Sequence, residues 1–157
     1  MRQYSFLNTI MLVGAPPIVP VPQQITGFWE GDDVIKMARN AVGASHVVGA
    51  DGKMSVSVSA DKSGSVEFKL SQLSSSNRLL LLILRAQEQA GPAFAPVQLT
   101  FTDLNRQDVG AGLAGYIEKL PDIERGAKAV AQTWKIVCER LDMDLGNPAF
   151  AGFALNG

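Results

Sequence analysis

Reactive side chains are scarce in this chain. It holds one cysteine, Cys138, and one histidine, His46. A single cysteine excludes an intrachain disulfide. A chain of 157 residues can bury a core without such staples, and the cytoplasm is the expected site of folding. One histidine and one cysteine cannot build a Cys/His metal site. Neither sign of charge dominates: 14 Lys and Arg oppose 15 Asp and Glu, for a net charge of −1. With no Lys/Arg cluster, a nucleic-acid reading based on a basic face has no footing. Long apolar runs are absent too. The longest, Leu79–Leu84, is far too short to span a bilayer. The apolar stretch near the start is broken by Asn8 and Thr9 and lacks a clean cleavage site, so a strand is expected there rather than a signal peptide.

The remaining polar groups do not converge on a chemistry. His46 lies in the Gly-containing stretch Ala41–His46, read as a loop, and no GxSxG elbow accompanies it. Cys138 shares an alternation face with Trp134 and Ile136, which makes it a core or interface thiol. Asp103, Asn105 and Asp108 lack the spacing, glycine and final glutamate of a calcium loop and read as turn formers. The pair Asp32 and Asp33 is expected to face solvent, and Glu30 and Asp51 offer nothing further. Gly110, Gly112 and Gly115 match the GxGxxG spacing, but the following YIEKLP is not a helix, as the dinucleotide fingerprint requires. Trp29 and Trp134 are expected in the core or at a subunit contact. No catalytic residue, cofactor site or metal site is assigned.

What the chain does have is strand patterning. Tyr4–Val13 reads as a strand stopped by Gly14-Ala15-Pro16-Pro17. Pro20 and Pro22 cannot donate to a ladder, so the next segment is an edge or a loop. Asp32–Arg39 alternates as a strand. Lys53–Ala60 places Met54, Val56, Val58 and Ala60 on one face and Ser55, Ser57 and Ser59 on the other. After the turn Asp61–Gly64, Ser65–Leu70 repeats the alternation, and the two segments are expected to pair as a hairpin with one buried face.

Ser74-Ser75-Ser76-Asn77 offers N-caps for a helix ending at Gly91-Pro92, and Leu79–Leu84 is apolar nearly all round. Val97–Thr102, the Gly-rich Val109–Lys119 and Lys128–Arg140 complete the strands. The glycines predict close approach of another backbone or a bulge. The expectation is one mainly β domain over residues 1–157, a small β-barrel or sandwich with one flanking α-helix. Residues 1–30 supply an N-terminal strand and a Pro-rich loop; residues 141–157 form a loose or interface-forming tail.

The order of motifs resembles a family of bacteriophage structural proteins. It runs Gly31-Asp32, then V-V-G-A-D-G at Val47–Gly52, D-x-S-G at Asp61–Gly64 and S-x-S-N-x-x-L at Ser74–Leu80. G-x-x-x-x-I-E-K-x-P at Gly112–Pro121 and the strand around Trp134 follow. Together these span about residues 4–140. The resemblance is to tail tube proteins of contractile phage, similar to the inner-tube subunits of type VI secretion systems and pyocins. It implies a virion protein assembled in the host cytoplasm as hexameric rings stacked into a tube that conducts DNA. It also implies partnership with the tail sheath, the tape measure protein, the baseplate and the tail terminator. The Pro-rich Pro16–Pro22 insert and the C-terminal tail depart from the pattern.

For such a subunit, Leu79, Leu81, Leu82 and Ile83 of the helix and Phe150 and Phe153 of the tail are candidate subunit contacts. Ser55, Ser57 and Ser59 are candidates for a small, uncharged lumen wall. The alternatives are a small-ligand-binding β-barrel module and another tail component, a terminator or a baseplate hub part.

Overall fold

The computed structural model describes residues 9–16, 19–30, 34–103 and 108–145. The expected start of the first strand at Tyr4, the Asp32–Asp33 pair, Asn105, and Phe150 and Phe153 of the tail lie outside the described residues.

Nine strands, one α-helix and a short 3-10 turn at Gly91–Ala93 make up the described chain: β1 (Thr9–Ala15), β2 (Val19–Gln24), β3 (Ile35–Arg39), β4 (Ala44–Val48), β5 (Met54–Val58), β6 (Gly64–Ser71), α1 (Ser76–Ala90), β7 (Val97–Asp103), β8 (Val109–Ile117) and β9 (Ala131–Asp144). Seven strands form one sheet in the order β2-β1-β7-β8-β9-β6-β3, and β4 and β5 form a separate two-stranded ribbon. All pairings are antiparallel. The fold is mainly β with a flanking helix, as the pattern predicts. The sheet is open, with β2 and β3 at its edges, so it is not a closed barrel. The Pro-punctuated β2 lies at an edge, where its missing N–H groups cost no ladder bonds.

Alternation builds the core. Val66, Phe68 and Leu70 of β6 are buried beside Trp134, Ile136 and Cys138 of β9 and Met11 and Val13 of β1. Each large apolar side chain buried this way stabilises the fold by about 1.5–3 kcal/mol. The sheet curls enough to bring β3 against β8. A Cβ on Gly110 of β8 would stand 2.5 Å from Met37 Cε on β3, although β9 and β6 separate those strands in the sheet. Along β8 the close approach is mainly to side chains rather than to a backbone: a Cβ on Gly112 would lie 2.5 Å from Cys138 Sγ, and only at Gly115 would one also meet a backbone atom, Val97 O at 3.1 Å. A register shift between β7 and β8, with Ala114 at φ +52°, is the bulge.

α1 lies against the core through Leu80, Ile83 and Leu84, with Leu79 and Leu81 half-buried and Leu82 exposed. The helix is therefore apolar on one broad face, with Leu82 left outside. At its start Ser75 makes no side-chain cap bond, but the neighbouring Ser74 Oγ accepts the Ser76 N–H at 3.2 Å. The serines also tie the helix to its neighbours. Ser76 Oγ accepts the Thr26 N–H at 2.9 Å, Ser74 Oγ donates to Thr26 O, and Asn77 Oδ1 accepts the Trp134 indole N–H at 2.9 Å. Gly91, at φ +57°, ends the helix before Pro92, as predicted.

Two expectations fail at the ribbon. Ala44–Val48 is strand β4, not loop, and β5 pairs with β4 across the Asp51-Gly52 turn rather than with β6. β6 lies between β3 and β9 instead. The Asp61–Gly64 segment connects the ribbon to the main sheet; Asp61 Oδ1 accepts the Ser63 N–H at 2.9 Å. The Ser63 hydroxyl and, to a smaller extent, this N–H hold the Asp61 carboxyl below its ordinary pKa.

Candidate assembly surfaces

The alternation in β5 does sort side chains, but not towards this subunit's core. Residues opposite one another in the ribbon share a face. The pairs Ala44 with Val58, His46 with Val56 and Val48 with Met54 make one apolar face; Ser45 with Ser57 and Val47 with Ser55 make the other. Val58 is 81% exposed, and Met54, Val56 and Val48 lie between 56% and 60%. The expected burial of Met54, Val56, Val58 and Ala60 is therefore corrected: all four are exposed. The reason is geometric. The ribbon hydrogen-bonds within itself and adds no strand to the seven-stranded sheet, so none of the described residues covers its apolar face. Ser55 and Ser57 are exposed on the opposite face, and Ser59 lies just past the strand, its hydroxyl accepting the Asp61 N–H.

On α1, Ile83 and Leu84 point into the subunit's own core, and Leu79 and Leu81 pack at its margin. Leu82 is the residue of the Leu79–Leu84 run that is available to a neighbour, at 53% exposed.

The polar candidates are scattered. His46 is exposed in the middle of the ribbon's apolar face, opposite Val56. Cys138 is buried, and loss of hydration pushes its thiol pKa up, which opposes thiolate chemistry. Trp134 is buried, while Trp29 is half-buried and its backbone N–H donates to Lys69 O. Asp51 Oδ1 accepts the Lys53 N–H, and the Asp103 N–H donates to Asp108 O, so both behave as turn residues. Glu30 is exposed. Gly110, Gly112 and Gly115 lie within β8, where no helix follows to receive a phosphate. Among the described residues, no group of His, Cys, Asp and Glu could hold a metal ion. No helix of the described chain is long and apolar enough to cross a membrane.

Several hollows mark the described body, two of which bear on the surfaces above. A polar one of about 320 Å³ is lined by Glu67, Glu118, Lys119, Asp122, Glu124 and Lys135 among others. Lys135 pairs with Glu118 at 3.2 Å there, and Lys119 with Asp122 at 3.7 Å. An apolar groove of about 150 Å³ opens between β3 and the ends of β7, β8 and β9. Sequence reasoning missed the ribbon's independence and this groove. The signal for the ribbon was present: His46-Val47-Val48 and Met54–Val58 flank Asp51-Gly52 as a hairpin should. The groove joins residues far apart in sequence, and no local pattern marks it.

An open antiparallel sheet, a flanking helix and an apolar ribbon left outside the core make exposed surfaces the distinguishing features of the described chain. The chain belongs to the bacteriophage PhiTE tail tube protein family, whose model matches residues 1–146. Its fold is similar to that of solved contractile injection system proteins. The sheath/tube terminator of the extracellular contractile injection system PVC in the extended state is 8% identical, covering 92% of this chain and 98% of that one, with a TM-score of 0.58. The tube terminating cap of the anti-feeding prophage is 8% identical, covering 93% and 95%, with a TM-score of 0.59. A chain of the PVC sheath-tube complex is 10% identical, covering 91% and 92%, with a TM-score of 0.55. No match is found among curated proteins.

Proposed function

We propose that this chain is the tube subunit of a contractile phage tail. Copies join head to tail into closed rings, the resemblance implying six per ring, and the rings stack into a conduit for DNA. The observation that carries this reading is the apolar face of the β4–β5 ribbon. A free subunit leaves Val48, Met54, Val56 and Val58 in water, and a contact with a second copy removes that cost at about 25 cal/mol per Å² buried. Head-to-tail contacts are heterologous and close into a ring when the rotation permits. The net charge of −1 suits a conduit, because a strongly basic wall would retain DNA by its phosphates. The uncharged Ser55 and Ser57 face is the proposed lumen wall, and Leu82 a contact between subunits. The sheath, the tape measure protein, the baseplate and the terminator are the proposed partners, in the virion tail.

The fold likeness to a tube terminator and a terminating cap supports a second reading, a terminator ring. The two part on growth. A tube subunit elongates as concentration rises, while a terminator stops at one ring. Sedimentation velocity over a concentration series separates them. Boundaries that grow heavier without limit support the tube, one fixed oligomer supports the terminator, and monomers throughout overturn both.

A further inference from the structure

His46 is the chain's one histidine, and it stands at the centre of the ribbon's apolar face. Val56 lies opposite it across the ladder, where paired Cβ atoms are about 4.5–5.5 Å apart. Ala44 and Val48 flank it on β4, two residues to either side and so on the same face. Met54 and Val58 are its diagonal neighbours on β5. Every position around the imidazole on that face is therefore apolar. Charge flanks the ribbon only at its ends, with Asp51 and Lys53 at the turn, Asp61 and Lys62 past β5, and Arg39 before β4. Asp51 Oδ1 accepts the Lys53 N–H and Asp61 Oδ1 the Ser63 N–H, while Lys53 falls on the serine side of the alternation. The main sheet adds no strand to the ribbon.

We propose that the ribbon contact is proton-linked: it forms with His46 neutral and is released when the imidazole takes up a proton. This rests on the reading that the ribbon's apolar face meets a second copy. In the free subunit His46 is exposed, and water solvates either form of the ring. An apolar counter-surface removes that water. The imidazolium then loses its solvation with no carboxylate on its own face to replace it, whereas the neutral ring loses far less. Assembly therefore expels the proton, so the contact holds as pH rises and fails as pH falls. One expelled proton changes an affinity by at most about tenfold per pH unit. Across the histidine range, from pH 7.5 to 5.5, a loss of about tenfold per contact is expected. Carboxyl and ammonium groups titrate largely outside that range, and the buried Cys138 thiol is pushed up and away from it.

Sedimentation velocity of the full-length parent and His46→Gln, over a concentration series at pH 7.5 and 5.5, tests the link. The concentration at which the parent assembles should rise about tenfold at pH 5.5, and that of His46→Gln should stay unchanged. The same shift in both proteins, no shift in the parent, or stronger assembly in acid overturns the proposal. Val56→Lys at pH 7.5 separates its failure from that of the ribbon contact. If Val56→Lys stays monomeric while the parent and His46→Gln respond alike to pH, the contact stands and the proton link falls. If Val56→Lys assembles as the parent does, or the parent is monomeric throughout, both fall. A second readout needs no variant. Deuterium exchange at His46 Cε1, followed by mass spectrometry, should run several-fold slower in the parent above its assembly concentration than below it. Equal rates would leave the imidazole outside the contact and overturn the proposal.

Discussion

Gln87 on α1 and Ile117 on β8 exchange two hydrogen bonds. Gln87 Nε2 donates to Ile117 O at 2.9 Å, and the Ile117 N–H donates to Gln87 Oε1 at 3.0 Å. β7 pairs with β8 only as far as Val97 opposite Gly115. Beyond that point the side-chain amide takes the place of a strand partner and fixes the helix to the sheet. Replacing Gln87 with Ala leaves both backbone groups of Ile117 without that partner. The expected cost is about 1–3 kcal/mol, which thermal unfolding should show as a fall of about 2–4 °C per kcal/mol.

The helix separates core from contact within two adjacent residues. Ile83→Ala should destabilise the subunit by about 2–5 kcal/mol, because Ile83 is buried in the core. Leu82→Asp should leave stability within about 0.5 kcal/mol, since Leu82 is exposed, while impairing assembly. Chemical denaturation and sedimentation of the same samples check both halves.

The ribbon should behave in the same divided way. Val56→Lys adds a charge to the uncovered apolar face. Subunit stability should shift by no more than about 0.5 kcal/mol, and oligomers should be lost.

Gly112 and Cys138 share one space. Gly112→Ala puts a Cβ against the thiol, whose sulfur is held by the surrounding core, and should cost about 1–3 kcal/mol. Adding Cys138→Ala removes the sulfur and should recover part of that loss. A double-mutant cycle by denaturant unfolding measures the coupling.

Asp142 accepts a hydrogen bond from Arg140 Nε at 2.8 Å and another from Arg39 at 2.8 Å. The Arg140 bond is the larger cause holding its carboxyl below the ordinary pKa, with the Arg39 charge also contributing. A carboxyl depressed on folding stabilises the fold above its ordinary pKa, and that contribution fades as pH falls from about 4 towards the lowered value. Asp142→Asn should therefore flatten the acid limb of melting temperature against pH and leave the shape near neutrality unchanged.

The contrast between β6 and β5 shows how far the sequence could be read. Both alternate apolar and polar residues. Val66, Phe68 and Leu70 are buried, while Met54, Val56 and Val58 are not. Period-2 patterning states which side chains share a face; it does not state which body covers that face. α1 was legible because its pattern ends at the breaker Gly91-Pro92; β9 was legible only as far as Arg140, for it runs on to Asp144 and buries Leu141 where a loose tail from residue 141 was expected. His46 was misread as a loop residue because glycine on one side masked a strand that exists only through its pairing with β5. The hollow between β3 and β9 was illegible because its walls meet only when the sheet curls.

The central claim is that this ribbon-bearing subunit builds a tube, and electron micrographs of the purified full-length protein test it most directly. The account predicts stacked rings or tubes of constant width from the parent chain and dispersed single subunits from Val56→Lys. A parent protein that remains as uniform small monomers at high concentration would contradict it.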